Sequence, residues 1–344
     1  MIEALLAEKL DNHRVRCRLC GHGCVIPEGR LGICRVRKNI GGMLFSLNAD
    51  QVAAANLDPI EKKPLYHFLP GSRSFSIAAM GCNFSCRFCQ NYSLSMVEDE
   101  AALSGETVSP EELVRMAVTS GSASISYTYT EPTVFFELML ETAKLARRAG
   151  LLNVMVSNGF LSGEALEMLA PYLDAANIDL KSFSDDFYRN YCRGRLQPVL
   201  DTIARMKARA IWLEITTLLI PGLNDSETEI EKLIGFLLEV DARIPWHVSR
   251  FFPQYQLLDT PPTDTQSIHH FLELGNRRGL SFVYSGNLQP DRWSDTLCPS
   301  CGAKLIQRVG YQTKILGLHQ GHCDQCRIEI PGVWNRGQGK LNDG

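Results

Sequence analysis

The sequence predicts an α/β fold in which a partial (β/α)6-type barrel is flanked by a small Cys-rich module at each end. Its 344 residues exceed the usual size of one domain. Between about residues 75 and 285, short β-rich runs alternate with amphipathic helical stretches, as in a parallel sheet. Eleven of the 12 cysteines fall into three groups, and two groups lie outside that region. We therefore expect an N-terminal module over 1–70, a barrel over 71–289 and a C-terminal module over 290–344.

Seven β-rich runs define the predicted barrel. Helix-start patterns separate several of them, because Ser109 and Ser226 each begin an S-x-x-E capping box. Gly150 and Gly279 stand where helices are expected to end. Six βα repeats and a seventh strand suit an open or partial barrel, and a doubly wound sheet is the alternative; both place reactive groups at the carboxyl ends of strands. The runs cover residues 75–80, 124–129, 152–157, 176–181, 211–220, 246–251 and 281–284.

Composition and charge exclude several classes of protein. The net charge is -3, from 35 Lys+Arg and 38 Asp+Glu, so no global basic field favours nucleic acid or anionic lipid. No apolar run approaches the roughly 18 residues that span a bilayer. The first residues carry acids within the apolar stretch and lack a signal-peptide layout. We therefore expect a cytoplasmic protein with reduced thiols and no membrane partner.

Three cysteines that directly follow the first predicted strand form the candidate catalytic centre. Cys82, Cys86 and Cys89 have C-x3-C-x2-C spacing, with no fourth cysteine close by in the sequence. Three thiolates on a [4Fe–4S] cluster leave one iron without a protein ligand, and that iron can bind a substrate. The same spacing can also arise by chance, or hold zinc with a distant fourth ligand.

With aromatic Phe88 before its last cysteine, this loop resembles that of the radical S-adenosylmethionine (SAM) superfamily. The resemblance implies a [4Fe–4S] cluster on Cys82, Cys86 and Cys89 whose open iron chelates SAM. It also implies a reductant such as flavodoxin or ferredoxin, whose electron breaks the S–C5′ bond of SAM. The resulting 5′-deoxyadenosyl radical abstracts hydrogen, so the resemblance predicts an oxidoreductase.

Later strand ends resemble segments of this superfamily and of its glycyl-radical-enzyme activases. Glu131 and Pro132 match the last two positions of a G-G-E-P motif, whose glycines are absent here. Residues 157–159 are similar to T-N-G, 177–181 to a D-L-K segment, and 245–247 to a late-strand histidine. Cys192, in contrast, is expected to be a buried thiol without a role in the site. The residues that the resemblance assigns to SAM are Phe88, Thr130, Glu131, Pro132, Ser157, Asn158, Asp179, Lys181 and His247.

The N-terminal module carries four cysteines with C-x2-C-x3-C-x9-C spacing. Four thiols among loop glycines suit tetrahedral zinc, and an auxiliary iron–sulfur cluster has the same ligand count. His22 lies inside the loop as a competing ligand, although a hydrogen bond within the loop is the simpler role. The four cysteines are Cys17, Cys20, Cys24 and Cys34.

The C-terminal module has the spacing of a zinc ribbon, C-x2-C-x21-C-x2-C. Each C-x2-C pair can fold back so that both sulfurs face one ion, and the metal then supplies folding energy to a module with little core. The local charge is mixed, so nucleic acid is not expected as a partner. The four predicted zinc ligands are Cys298, Cys301, Cys323 and Cys326.

The combination of both Cys-rich modules with the E-K-K-P-L-Y-H-F connector over 61–68 resembles one branch, the AmmeMemoRadiSam-system radical SAM enzymes, relatives of pyruvate formate-lyase activating enzyme. The resemblance implies hydrogen abstraction from a partner protein, within a system of several components. A small-molecule or RNA substrate is the alternative, and a non-catalytic zinc or iron–sulfur protein is the rival class. The connector's charged residues either line the approach of a partner or form a solvated loop.

Overall fold

The computed structural model describes residues 1–338, and its centre is an eight-stranded sheet. Seven parallel strands lie side by side in chain order, and the antiparallel edge strand Ala54–Pro59 pairs with the first of them. Six βα repeats followed by a seventh strand are therefore present, and the predicted partial barrel is confirmed. The parallel strands are β1 (Arg73–Ala78), β2 (Ser124–Tyr127), β3 (Leu152–Ser157), β4 (Ala175–Asp179), β5 (Trp212–Leu219), β6 (Trp246–Arg250) and β7 (Val283–Gly286).

Helices occupy every crossover between these strands. Ser109 and Ser226 cap their helices as predicted, because each side chain accepts a hydrogen bond from the backbone N–H three residues later. Gly279 ends the last helix at φ +112°, a backbone conformation that favours glycine. Short 3-10 segments cover Ile60–Lys62, Glu100–Ala102, Pro132–Phe135 and Arg336–Gln338, and a π-helical turn covers Tyr188–Cys192. The α-helices are α1 (Tyr92–Ser95), α2 (Pro110–Thr119), α3 (Phe136–Arg148), α4 (Gly163–Leu169), α5 (Asp185–Phe187), α6 (Leu196–Ala208), α7 (Glu227–Asp241) and α8 (Thr265–Arg278).

The connector between the N-terminal module and the barrel packs against the beginnings of the parallel strands. Phe68 and Leu65 pack against Val154 of β3 in one buried cluster. Lys63 is buried, and its ammonium group lies 2.7 Å from an Asp58 oxygen, which compensates the buried charge. Asp58 and Lys63 thus neither line the approach of a partner nor lie in a solvated loop, because their charges are paired inside the fold.

The N-terminal module consists of short antiparallel strands that pack on the barrel. An ion pair between Arg37 and Glu137 of α3 is buried at this contact. Cys20 forms a β-bridge with Leu161, which follows β3. The strands are Ile2–Glu3, Ala7–Lys9, Val15–Cys17, Val25–Ile26, Arg37–Ile40, Met43–Ser46 and Gln51–Val52, and the last pairs with Glu106–Thr107.

The C-terminal module packs against the connector. The guanidinium of Arg308 is buried over the ring of Tyr66, at 4.1 Å, and donates to the Tyr66 carbonyl oxygen at 2.7 Å. Residues 339–344 of the predicted C-terminal module lie outside the described residues. No helix within residues 1–338 has the length and apolarity needed to cross a membrane. The strands are Thr296–Leu297, Lys304–Val309, Gln312–Ile315, Leu318–His319 and His322–Cys323.

Candidate functional site

The three central thiols lie on a loop that leaves the carboxyl end of β1. Backbone bonds fix this loop, because the N–H groups of Ser85 and Arg87 donate to carbonyls of the turn Tyr188–Cys192, each at 2.9 Å. The thiol of Cys86 is buried, and those of Cys82 and Cys89 are half-buried. The loop is thus held in place by both the first strand and the crossover that follows β4.

The surroundings of these thiols fit an iron–sulfur cluster. The Phe84 N–H lies 3.3 Å from the Sγ of Cys82, a contact that stabilises a thiolate. Burial and the charge of Glu131 raise the pKa of the Cys82 thiol, so a cation at the site is needed to favour its thiolate. The three sulfurs do not all lie within 4.8 Å of one another, whereas the four C-terminal thiols do. Three sulfurs that are not all drawn together are compatible with a cluster in which each binds a different iron.

Cys192 is a neighbour of this centre that the sequence analysis missed. It is buried, as predicted, and ends the π-helical turn, where its side chain hydrogen-bonds to Cys86. This hydrogen bond has the largest effect on the Cys86 thiol and lowers its pKa. The positive charge of Lys181 also lowers that pKa, whereas burial raises it. Nothing in the local sequence around Cys192 signals this contact, because it depends on tertiary folding.

Glu131 ties the ends of β2 and β3 together. One of its carboxylate oxygens accepts bonds from the backbone and side chain of Thr133, at 3.0 and 2.5 Å, and from Ser157 Oγ at 2.8 Å. The other oxygen accepts from the backbone N–H of Asn158 at 2.8 Å. Each of the two carboxylate oxygens therefore accepts at least one hydrogen bond. In this arrangement Glu131 shapes the turn at Ser157 and Asn158 without presenting a free oxygen.

Asn158 reaches from this turn to the cysteine loop. Its Nδ2 donates to Asn83 Oδ1 at 2.7 Å and lies 3.9 Å from Cys82 Sγ. Thr130 ends at the same edge, where its hydroxyl donates to the Ala79 carbonyl at 2.7 Å, and Pro132 begins the 3-10 segment beside it. The ends of the first three strands therefore converge on the cysteine loop.

Lys181 approaches the centre from the end of β4. Its ammonium lies 2.9 Å from an oxygen of Asp179 and 5.9 Å from the centre of the Phe88 ring. Burial disfavours the charged form, yet the negative charges of Asp179 and Cys86 outweigh this effect and raise the pKa of Lys181 well above its usual range. A permanently charged cation thus faces the cysteine loop.

His247 is the one predicted SAM residue that the structure places apart from the others. It occupies the second position of β6, and its Nε2 lies 2.7 Å from an oxygen of buried Glu214 on β5. Burial alone would raise the pKa of Glu214, but the hydrogen bond and charge of His247 lower it. The sequence analysis aligned this histidine with a strand end, whereas it stands at a strand beginning.

The C-terminal thiols form a compact group that can hold a zinc ion. Within residues 1–338, they are the one set of three or more candidate ligands whose atoms all lie within 4.8 Å of one another. The Sγ atoms of Cys298 and Cys326 are 3.5 Å apart, and those of Cys301 and Cys323 are 3.7 Å apart. Zn–S bonds of about 2.3 Å in a tetrahedron place sulfurs about 3.8 Å apart. The observed spacing agrees with one tetrahedral ion.

Comparison with known protein families and sequences identifies relatives of this chain. The family described as the radical SAM superfamily matches residues 77–234, which contain the central cysteine loop. An uncharacterized protein of Methanocaldococcus jannaschii is 42% identical over 319 residues, which are 92% of this chain and 95% of that protein. A proposed glycyl-radical enzyme activating enzyme of the same organism is 26% identical over 210 residues, or 57% of this chain and 74% of that protein.

Solved structures share the fold at low sequence identity. A radical SAM methyltransferase from Sphaerobacter thermophilus superposes with a TM-score of 0.51 and 17% identity, covering 64% of this chain and 68% of its own. SuiB from Streptococcus suis, bound to S-adenosylmethionine, gives a TM-score of 0.50 and 15% identity over 66% of this chain. The match spans about half of SuiB, 53% of its chain. Both likenesses concern the fold.

Proposed function

This chain belongs to the radical SAM superfamily and is a radical SAM enzyme, and from that premise we propose that it cleaves SAM reductively at a [4Fe–4S] cluster held by Cys82, Cys86 and Cys89. The observation that carries this proposal is the convergence of three strand ends and Lys181 on those thiols. When bound, the cluster supplies the electron that breaks the S–C5′ bond, and the 5′-deoxyadenosyl radical then abstracts hydrogen.

The chain's own residues would bind and orient SAM around this centre. Lys181 offers a fixed positive charge for the methionyl carboxylate, and Asp179 holds that ammonium in place. Phe88 supplies an apolar face beside the cluster. Asn158 and Ser157 form the facing wall, which Glu131 holds rigid through its four hydrogen bonds. Thr130 and Pro132 complete that wall, whereas His247 has no role in this proposal.

For the hydrogen donor, we propose a partner protein, as in the glycyl-radical activating enzymes. The similarity to a proposed activating enzyme supports this assignment. The connector closes the amino end of the barrel, so a substrate would approach at the carboxyl ends of the strands. The combination of two Cys-rich modules with this connector supports the AmmeMemoRadiSam branch and its several components. A small molecule or an RNA remains the second candidate substrate, since the same strand ends would receive it.

The proposed setting is the cytoplasm, where thiols stay reduced and flavodoxin or ferredoxin can donate electrons. The proposal is tested by anaerobic reconstitution with iron and sulfide, followed by dithionite and SAM. Wild-type protein should release 5′-deoxyadenosine, and the Cys86→Ala variant should release none. Zinc content and circular dichroism show whether that variant is folded. Absence of 5′-deoxyadenosine from a wild-type protein with a full cluster would contradict the proposal, as would equal yields from both proteins.

A further inference from the structure

The four N-terminal cysteines surround one cavity beside the central cysteine loop. All four cysteines line it, together with Arg37 and Asn83. The Cys17 N–H donates to the Cys24 carbonyl at 2.8 Å, and the Gly23 N–H donates to the Cys20 carbonyl at 3.1 Å, so the loop folds back on itself. Cys34 closes the cavity from the following segment. The fold has therefore built a tetrathiol pocket, whose possible occupants are zinc and an iron–sulfur cluster.

The spacing of the sulfurs distinguishes these two occupants. A zinc ion draws four thiolates to about 3.8 Å from one another. The C-terminal thiols of this same chain have that spacing, whereas no three of the N-terminal thiols lie mutually within 4.8 Å. A cubane of four irons and four sulfides keeps its cysteine ligands much farther apart, because each sulfur binds a different iron. In this respect the N-terminal thiols and the central triad agree with each other and differ from the ribbon.

Two buried donors in the cavity wall lack acceptors among residues 1–338. They are Nε of Arg37 and Nδ2 of Asn83, and both side chains are almost fully buried. Another guanidinium nitrogen of Arg37 lies 3.8 Å from Cys17 Sγ. Buried donors without acceptors are costly, so an occupant that carries its own acceptors is favoured. Cluster sulfides accept hydrogen bonds and would supply the acceptors that these two nitrogens lack.

The cavity is connected to the central loop through Asn83, which directly follows Cys82. His22, inside the N-terminal cysteine loop, hydrogen-bonds to the Asn83 carbonyl at 2.7 Å. The Asn83 side chain in turn accepts from Asn158, which lies against Cys82. Asn83 therefore contacts both cysteine loops. His22 links the two loops through its hydrogen bond and does not act as a metal ligand.

We propose that Cys17, Cys20, Cys24 and Cys34 hold a second [4Fe–4S] cluster, ligated by protein at all four irons and adjacent to the SAM-binding centre. This cluster has no open iron and therefore does not bind SAM. It is a one-electron site next to a reaction that consumes one electron, and the proposal goes beyond the assignment of the central cluster.

The test uses the full chain with the central thiols removed, as the variant Cys82→Ala, Cys86→Ala, Cys89→Ala, reconstituted anaerobically with iron and sulfide. We expect about four irons and four sulfides per chain, together with about one zinc in the ribbon. The reduced protein should show an electron paramagnetic resonance signal that SAM leaves unchanged. Adding Cys20→Ser and Cys34→Ser should remove the iron and keep the zinc.

Two zinc ions and no iron in the triad variant would overturn the proposal. Wild-type protein provides a second measurement if that variant fails to fold, since two clusters require about eight irons per chain and one cluster about four. A count of four irons with two zinc ions would again overturn it. Failure of the wild type to make 5′-deoxyadenosine while holding eight irons would contradict the proposed SAM cleavage and leave the second cluster in place.

Discussion

Gly81 directly precedes Cys82 and packs against the N-terminal module, and its replacement by alanine tests this contact. Its backbone has φ +107°, a conformation that side chains rarely adopt. A Cβ added there would lie 2.6 Å from Cγ1 of buried Val36 and 3.4 Å from the Cys34 carbonyl oxygen. The strained backbone costs about 1–3 kcal/mol and the overpacking about 1–3 kcal/mol. We therefore expect Gly81→Ala to lower the free energy of unfolding by about 2–6 kcal/mol.

Gly150 is a matched control for this substitution. It also has a positive φ, +75°, but a Cβ there would meet nothing within 4 Å. Gly150→Ala should therefore cost only the backbone strain, about 1–2 kcal/mol. Anaerobic urea unfolding, followed by circular dichroism, measures both changes. Val36→Ala removes the methyl group with which the new Cβ would clash. The double variant should therefore lose less stability than the sum of the two single losses.

Equal losses for Gly81→Ala and Gly150→Ala, or strict additivity with Val36→Ala, would refute the reasoning. Either result would show that the module does not press against the cysteine loop at this point. The same variants also report on function, since a displaced loop should lower the iron content of the reconstituted protein. Iron content unchanged in a strongly destabilised Gly81→Ala variant would show that the two effects are separate.

Further predictions concern two side chains beside the central cysteine loop, the buried histidine and the ribbon. Glu131→Gln places an amide donor against backbone or hydroxyl donors, so urea unfolding should show a loss of about 1–3 kcal/mol. Lys181→Met should weaken SAM binding about 10–100-fold at unchanged iron content, measured by equilibrium dialysis; equal affinity would contradict its proposed role. Burial lowers the pKa of His67 to about 4 from 6.5, so the unfolded chain binds more protons between those values. The free energy of unfolding should therefore fall as the pH falls through this window, by about 2 kcal/mol at pH 5, and His67→Gln should remove that part of the pH dependence. Cys323→Ser with Cys326→Ser should release about one zinc and lower solubility while leaving the iron content, measured by mass spectrometry, unchanged.

Much of the barrel could be predicted from the sequence, because local patterns specify it. The run 152–157 is a strand over the same residues, and the capping boxes at Ser109 and Ser226 begin helices as expected. The run 124–129 ends earlier, at Tyr127, since Tyr129 adopts φ +65° and leaves the strand. Such an end depends on the turn that follows and not on β propensity.

Long-range pairing accounts for what the sequence analysis missed. The connector reads as a polar loop, but Lys63 is buried because Asp58 and the ring of Tyr129 surround its ammonium, the ring centre at 4.4 Å. His247 belongs to a segment that the sequence predicts at a strand end. It lies instead near the beginning of β6, where it hydrogen-bonds to Glu214 on the neighbouring strand. In the cysteine groups, spacing along the chain gives the ligand count, whereas the separation of the sulfurs appears only in three dimensions.

The binding of SAM to the cluster on Cys82, Cys86 and Cys89 is the central claim, and one spectroscopic measurement tests it directly. Reduced, reconstituted protein is mixed with SAM carrying a 15N label on its amino group, and the coupling of that nitrogen to the cluster's electron spin is recorded. We predict a resolved coupling in the wild type and its loss in the Cys86→Ala variant. A wild-type protein with a full complement of iron and no coupling to the labelled nitrogen would contradict the account.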